Sequence, residues 1–198
     1  TFNRPNVTLV DTADHGGITR MTATGVVVGD TEYEVDCVIF ATGFEVGVSG
    51  VLSGTLPVTG RGGMPLLGHW RNGPRTLHGF YSHGFPNLFH LGSLQNAAAV
   101  NFVHVLQEQA NHIGAVVGEA EKRGARWIEP SAEDEEAWGA VIFQTAPKTF
   151  KFQSECTPGY YNGEGNPRPV MFAYGPGPVA FHELLREWRA DSIDAVLH

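Results

Sequence analysis

Apolar positions along the N-terminal quarter come in short alternating clusters. Residues 7–10, 18–21, 26–28 and 32–35 read as brief strands, and Gly29-Asp30 has the turn chemistry that joins antiparallel neighbours. At residues 37–41 (Cys-Val-Ile-Phe-Ala) alternation gives way to a continuous apolar run, the pattern of a parallel strand covered on both faces. That run ends in Thr42, Gly43 and Phe44. Residues 45–80 are rich in Gly and Pro and read as loop with brief strands, long enough to be functional or to wrap another domain. Residues 88–91 read as a further short buried strand, closed by Gly92 and Ser93.

A change of period follows. Ala99, Phe102, Val103, Leu106, Ala110, Ile113 and Val117 recur at steps of three and four, with Asn101, His104, Glu108 and Asn111 opposite. The spacing predicts a long amphipathic helix, with Asn96 as its N-cap and Ser93 as the competitor. Ser131 and Asp134 resemble a capping box ahead of Trp138, Val141 and Ile142, which predicts a second helix to about residue 146. Residues 171–174 read as a strand, and Phe181, Leu184, Leu185 and Trp188 share one face of a final helix. Strands interleaved with helices place the chain in the α/β class.

Composition narrows the function classes. The 198 residues are 42% hydrophobic and 17% charged, with a formal net charge of -8. That is the balance of a globular chain with a real core. An acidic balance without a basic stripe argues against nucleic acid as a partner. No apolar stretch approaches a membrane span and no signal peptide opens the chain, so a cytoplasmic location and no membrane contact are expected. Cys37, inside its apolar run, is expected to act as a small buried hydrophobe. The chain opens on Thr1 without methionine and runs at once into strand-like sequence, which reads as entry in mid-protein.

Several chemistries are absent as motifs. There is no glycine-rich dinucleotide fingerprint, no phosphate-binding loop, no nucleophile elbow and no zinc-protease helix. His78, His83 and His90 match no metal-ligand spacing, so no metal site is expected. Arg61, Arg71 and Arg75 are candidates for a phosphate clamp, with solvated loop arginines as the commoner alternative. Two segments carry positive signals. Thr42, Gly43 and Phe44 end a run that reads as a buried strand, where open α/β sheets bind their ligands. Gly92, Ser93, Leu94, Gln95 and Asn96 lead into a predicted helix N-terminus, whose unpaired N–H groups favour negative charge. An ordinary strand end and an ordinary strand–helix connection are the bland alternatives.

Taken together the motifs resemble one family. Ala41-Thr42-Gly43-Phe44, preceded by Asp36 and the apolar run, is similar to a segment of flavin-containing monooxygenases. Gly84-Phe85-Pro86-Asn87-Leu88-Phe89 resembles a signature of Baeyer–Villiger monooxygenases. Arg4-Pro5-Asn6-Val7 and the stretch from Cys156 to Gly165 resemble the branch acting on large ketones. The resemblance runs from residue 1 to about residue 190.

It implies the C-terminal part of a flavoprotein fold with two Rossmann-like domains, one for FAD and one for NADPH. Residues 1–45 would then be the end of the NADPH-domain meander and the return strand of the FAD domain. Residues 46–120 would be the FAD-domain loop, strand and long helix, and residues 121–198 a region covering substrate and cofactor. The implied partners are a small-molecule ketone, O2 and an upstream FAD- and NADPH-binding half. The implied reaction inserts one oxygen of O2 into the ketone to give an ester or lactone. Thr42, Gly43, Phe44, Gly92, Ser93, Leu94, Gln95, Asn96 and Tyr160 (with Tyr161 as its competitor) would contact cofactor, and Ala97, Ala98 and Ala99 would line the ketone pocket. The family's catalytic arginine and both dinucleotide fingerprints have no counterpart here, so the chain alone is expected to be inactive. Alternatives are an N- or heteroatom-hydroxylating flavin enzyme, a non-catalytic module that keeps the fold, and half of a split enzyme.

Overall fold

A computed structural model describes residues 2–42, 57–157, 159, 162, 165 and 173–198. The chain divides into two units, Thr1–Phe44 and Glu45–His198. Gly43, Phe44, Tyr160, Tyr161, Met171 and Phe172, all singled out by the sequence, lie outside the described residues.

The first unit is built on a three-stranded antiparallel meander in the order β1 (Arg20–Met21), β2 (Gly25–Val28), β3 (Thr31–Glu34). Val28 pairs with Thr31 across the expected Gly29-Asp30 turn, and Val27 with Glu32. Val27 and Val28 are buried. Thr22 and Thr24 each donate a hydroxyl to Glu32, tying the first connection to the third strand.

Two expected strands are missing. Residues 7–10 and 37–41 are irregular, and Leu9, Ile39 (84% exposed) and Phe40 (69%) stand in solvent. Cys37 is exposed rather than buried. The physical reason is pairing: a strand needs a neighbour for its N–H and C=O groups, and no described residue supplies one here.

The second unit is largely helical. Its elements are the single turn α1 (Leu66–His69), the long α2 (Phe102–Arg123), then α3 (Ala132–Thr145), α4 (Pro147–Glu155) and α5 (Pro178–Asp191). A common core joins Leu77, Phe80, Tyr81, Val105, Val116, Ile128, Trp138, Ile142, Phe181 and Val196. A second cluster gathers Leu66, Trp70, Phe85 and Leu94.

The α2 helix starts later than its pattern suggested. Asn101, not Asn96 or Ser93, is the N-cap, its side chain accepting from the His104 N–H at 3.1 Å. The buried face also differs: Val105, Gln109, His112, Val116 and Ala120 point inward. Phe102, Val103 (77%) and Val117, from the stripe expected to be buried, are exposed. In α3, Ser131 caps as predicted, accepting from the Asp134 N–H at 3.0 Å. Phe181 and Leu185 are the buried positions of α5, with Leu184 and Trp188 partly buried beside them, as the spacing indicated.

Residues 88–91 form no strand. Their backbone ties are the Leu88 N–H donating to the Phe85 carbonyl at 3.2 Å and the His90 N–H donating to the Phe80 carbonyl at 2.9 Å. The last residues close the core instead: Ile193 and Val196 are buried, and residues 126–129 pair with 196–198 through Glu129 N–H to Val196 O at 2.9 Å and Trp127 N–H to His198 O at 3.0 Å. The described residues are mixed α/β, with a small three-stranded sheet.

Candidate functional site

The segment 92–97, ahead of α2, touches both core clusters and is tied by its backbone to distant side chains. Gly92 sits at φ 114, a conformation that L side chains rarely adopt, so glycine is needed there. Gln109, from the buried face of α2, meets it with both amide atoms. Its Nε2 donates to the Gly92 carbonyl and its Oε1 accepts from the Gly92 N–H, each at 2.9 Å. Leu94 drops into the cluster of Trp70 and Phe85. Trp138 of α3 donates its indole N–H to the Gln95 carbonyl at 3.0 Å. The Tyr174 N–H donates to the Asn96 carbonyl at 3.0 Å.

Gln95 turns its side chain inward, at a left-handed φ of 53. Its Oε1 accepts from the Thr76 hydroxyl at 2.6 Å and its Nε2 donates to the Pro74 carbonyl at 3.0 Å. Asn96 differs. It is 0% exposed, yet neither Oδ1 nor Nδ2 has a partner among the described residues. A buried unpaired amide is costly and calls for an explanation. Below it lies Gly79, where an added Cβ would run into the Leu94 carbonyl and the Asn96 side chain. Ser93, Ala98 and Ala99 are exposed, whereas Ala97 is buried in the main core. Thr42, in the other unit, is exposed in irregular chain.

The Gly84–Phe89 signature works as a clasp. The Gly84 N–H donates to Glu129 Oε1 at 2.8 Å, and Phe85 fills the second cluster. Asn87 exchanges two hydrogen bonds with Ile128, N–H to O and Oδ1 from N–H, both at 2.9 Å. Burial pushes the Glu129 carboxyl up, but the Arg61 and Gly84 hydrogen bonds and the nearby charges outweigh it and hold it below its usual range. Glu135, buried in α3, accepts from the His83 N–H at 3.0 Å and faces His69 Nε2 and Arg75 Nε at 3.0 and 3.3 Å.

Those pairings involve two of the three candidate arginines, while Arg71 is exposed. Arg61 is bound to Glu129 at 2.9 Å and lies over the Trp127 ring, and Arg75 is bound to Glu135, so neither is free to clamp phosphate. His78 lies edge-on to Trp138 and Trp188, His83 faces the Pro130 carbonyl, and His90 faces Ser82. Among the described residues no three metal-ligating side chains converge.

Sequence reasoning missed Gln109, Trp138 and Thr76 as residues that shape this segment. A signal existed for Gln109: it falls in register with Val105, His112 and Val116, a second stripe on the same helix.

No protein-family model matches the chain. It is 59% identical over 99% of its length to a Baeyer–Villiger monooxygenase of Streptomyces coelicolor, covering 33% of that protein. It is 42% identical to a FAD-binding monooxygenase of Hypomyces subiculosus, over 95% of this chain and 32% of the relative. Among solved structures, it superimposes on a polycyclic ketone monooxygenase from Thermothelomyces thermophila with a TM-score of 0.81 at 36% identity, over 96% of this chain and 32% of the other. It also superimposes on a cyclohexanone monooxygenase from Rhodococcus sp. Phi1 bound to NADP+, with a TM-score of 0.83 at 27% identity, over 99% and 36%. The chain therefore spans about a third of the length of these proteins. No helix among the described residues is long and apolar enough to cross a membrane.

Proposed function

We propose, from a chain homologous to Baeyer–Villiger monooxygenases along its whole length, that it serves as the C-terminal third of an FAD- and NADPH-dependent enzyme that oxidises ketones to esters or lactones. Residues 1–45 would supply the meander and a return strand, 46–120 the loop and long helix of the FAD domain, and 121–198 the covering region. The observation that carries the reading is the Gly92–Asn96 loop, whose accessible edge at Gly92 and Ser93 is held from α2 and α3 by Gln109 and Trp138. A flavin ring edge presents donors and acceptors that the exposed Ser93 hydroxyl and peptide would meet, so this edge of the loop fits that group.

When bound, the flavin supplies the oxygen-activating redox chemistry. The roles of this chain are holding and shaping. The Gly92–Asn96 loop would orient the ring edge through Gly92 and Ser93, Asn96 would stay enclosed behind it, and Leu94 would seal the loop to the core. Thr42, Gly43, Phe44 and Tyr160 would meet the cofactors from elsewhere in the chain. Ala98 and Ala99, small and exposed, would leave room for a bulky ketone, with Ala97 supporting them from the core. The exposed run at Ile39 and Phe40 would become a strand once neighbouring strands flank it.

The test is a graft. This chain replaces the matching third of the Streptomyces coelicolor relative, and the purified protein is scanned for flavin absorption and assayed with ketones and amines under NADPH. A yellow protein forming esters or lactones supports the reading. A folded but colourless graft, or one oxidising only amines, would overturn it.

A further inference from the structure

Gln109 is a long polar side chain, 2% exposed, on the inward face of α2, and it is used entirely on one glycine. Its amide and the Gly92 peptide exchange two hydrogen bonds at 2.9 Å, so a side chain reproduces a rung of a β-ladder. Trp138 does the same work three residues on, at the Gln95 carbonyl. Both ties are to backbone, and both come from different helices. Thr76 and Pro74 immobilise the Gln95 side chain. The chain has therefore fixed this loop from α2, α3 and the 74–79 segment while leaving the Asn96 amide unpaired. Such rigidity is not required to start α2, which takes its cap from Asn101.

We infer that Gln109 and Trp138 are positioning residues, which hold the Gly92–Asn96 backbone so that its accessible edge at Gly92 and Ser93 faces the flavin. This rests on the functional reading above. Neither side chain touches cofactor; each acts through the loop it grips. A supporting shell of this kind sets how accurately a contacting group is placed.

Two variants remove the grip. Gln109→Met keeps volume and loses both hydrogen bonds, and Trp138→Phe keeps an aromatic ring and loses the indole donor. Gln107→Met, on the exposed face of the same helix, is the control. In the 198-residue chain, amide hydrogen exchange across residues 92–96 should rise at least tenfold in Gln109→Met, with α3 and α5 unchanged. In the flavin-loaded graft, the same variant should shift the flavin absorption bands or its midpoint potential, and Gln107→Met should not. Unchanged exchange in both grip variants overturns the proposal. So does a loosened loop with an unaltered flavin spectrum and potential, which would make the pair a plain brace. A graft that is colourless before any substitution sinks the functional reading, while the exchange data still judge the grip separately.

Discussion

At the scale of single residues, the second unit buries polar groups that only some conditions leave content. His78 lies between the rings of Trp138 and Trp188. His112 faces the Tyr81 hydroxyl through Nε2 at 2.8 Å and Arg189 through Nδ1 at 2.9 Å. Because Arg189 can only donate, His112 is neutral and gives its Nε2 proton to Tyr81. Burial lowers the pKa of His78 to about 3, and burial with the Arg189 and His78 charges lowers that of His112 to about 3. Both folded values lie below the unfolded value near 6.5. Above that pH neither state carries the extra proton and stability is flat. As pH falls from about 6.5 toward 3, the unfolded chain takes up protons the folded one refuses. Stability should then drop by roughly 1.4 kcal/mol per pH unit for each histidine. Urea midpoints between pH 7.5 and 4.5 measure this; a His112→Phe chain whose midpoint falls as steeply as the parent would remove that residue from the account.

At the scale of elements, the caps and periodicities close to the backbone were legible, and the sidedness of α2 was not. Ser131 announces α3 because the capping hydroxyl and the helix it starts are three residues apart. Its replacement by alanine should cost about 1 kcal/mol, read as a shift in denaturant midpoint without a change in slope. The α5 face was equally plain, since Phe181 and Leu185 have no competing stripe. In α2 two stripes compete, and the purely apolar one loses. Gln109 and His112 are buried because each finds a partner far away in sequence, Gly92 and Tyr81. Periodicity sees polarity and cannot see partners. The strands expected at 7–10, 37–41 and 88–91 failed for a related reason: sheet membership belongs to a pair, and one run of sequence holds only half of it. The candidate loop was legible as a segment, but Gln95 and Asn96 look alike in sequence while only Asn96 keeps an unpaired amide.

At the scale of the whole molecule, the exposed apolar stripe of α2 is the feature a longer protein would use. Phe102, Val103 and Val117 face outward on one helix, in a chain a third as long as its relatives. Val103→Asp should leave the 198-residue chain within about 0.5 kcal/mol of its parent, as surface changes usually do. In the graft the same change should bury a charge against the rest of the protein and cut the yield of soluble, flavin-containing material severalfold. Equal yields would mean that this stripe stays in water there too.

The closing residues carry a different consequence. Ile193 and Val196 complete the core, and residues 196–198 pair with 126–129. During synthesis on the ribosome, α2 and α3 emerge well before these partners. Until the final turn leaves the exit tunnel, Val116, Ile128 and Trp138 lack part of their cover. The core of the second unit is thus completed only once residues 193–198 have emerged, and its earlier helices must be kept from aggregating in the interval.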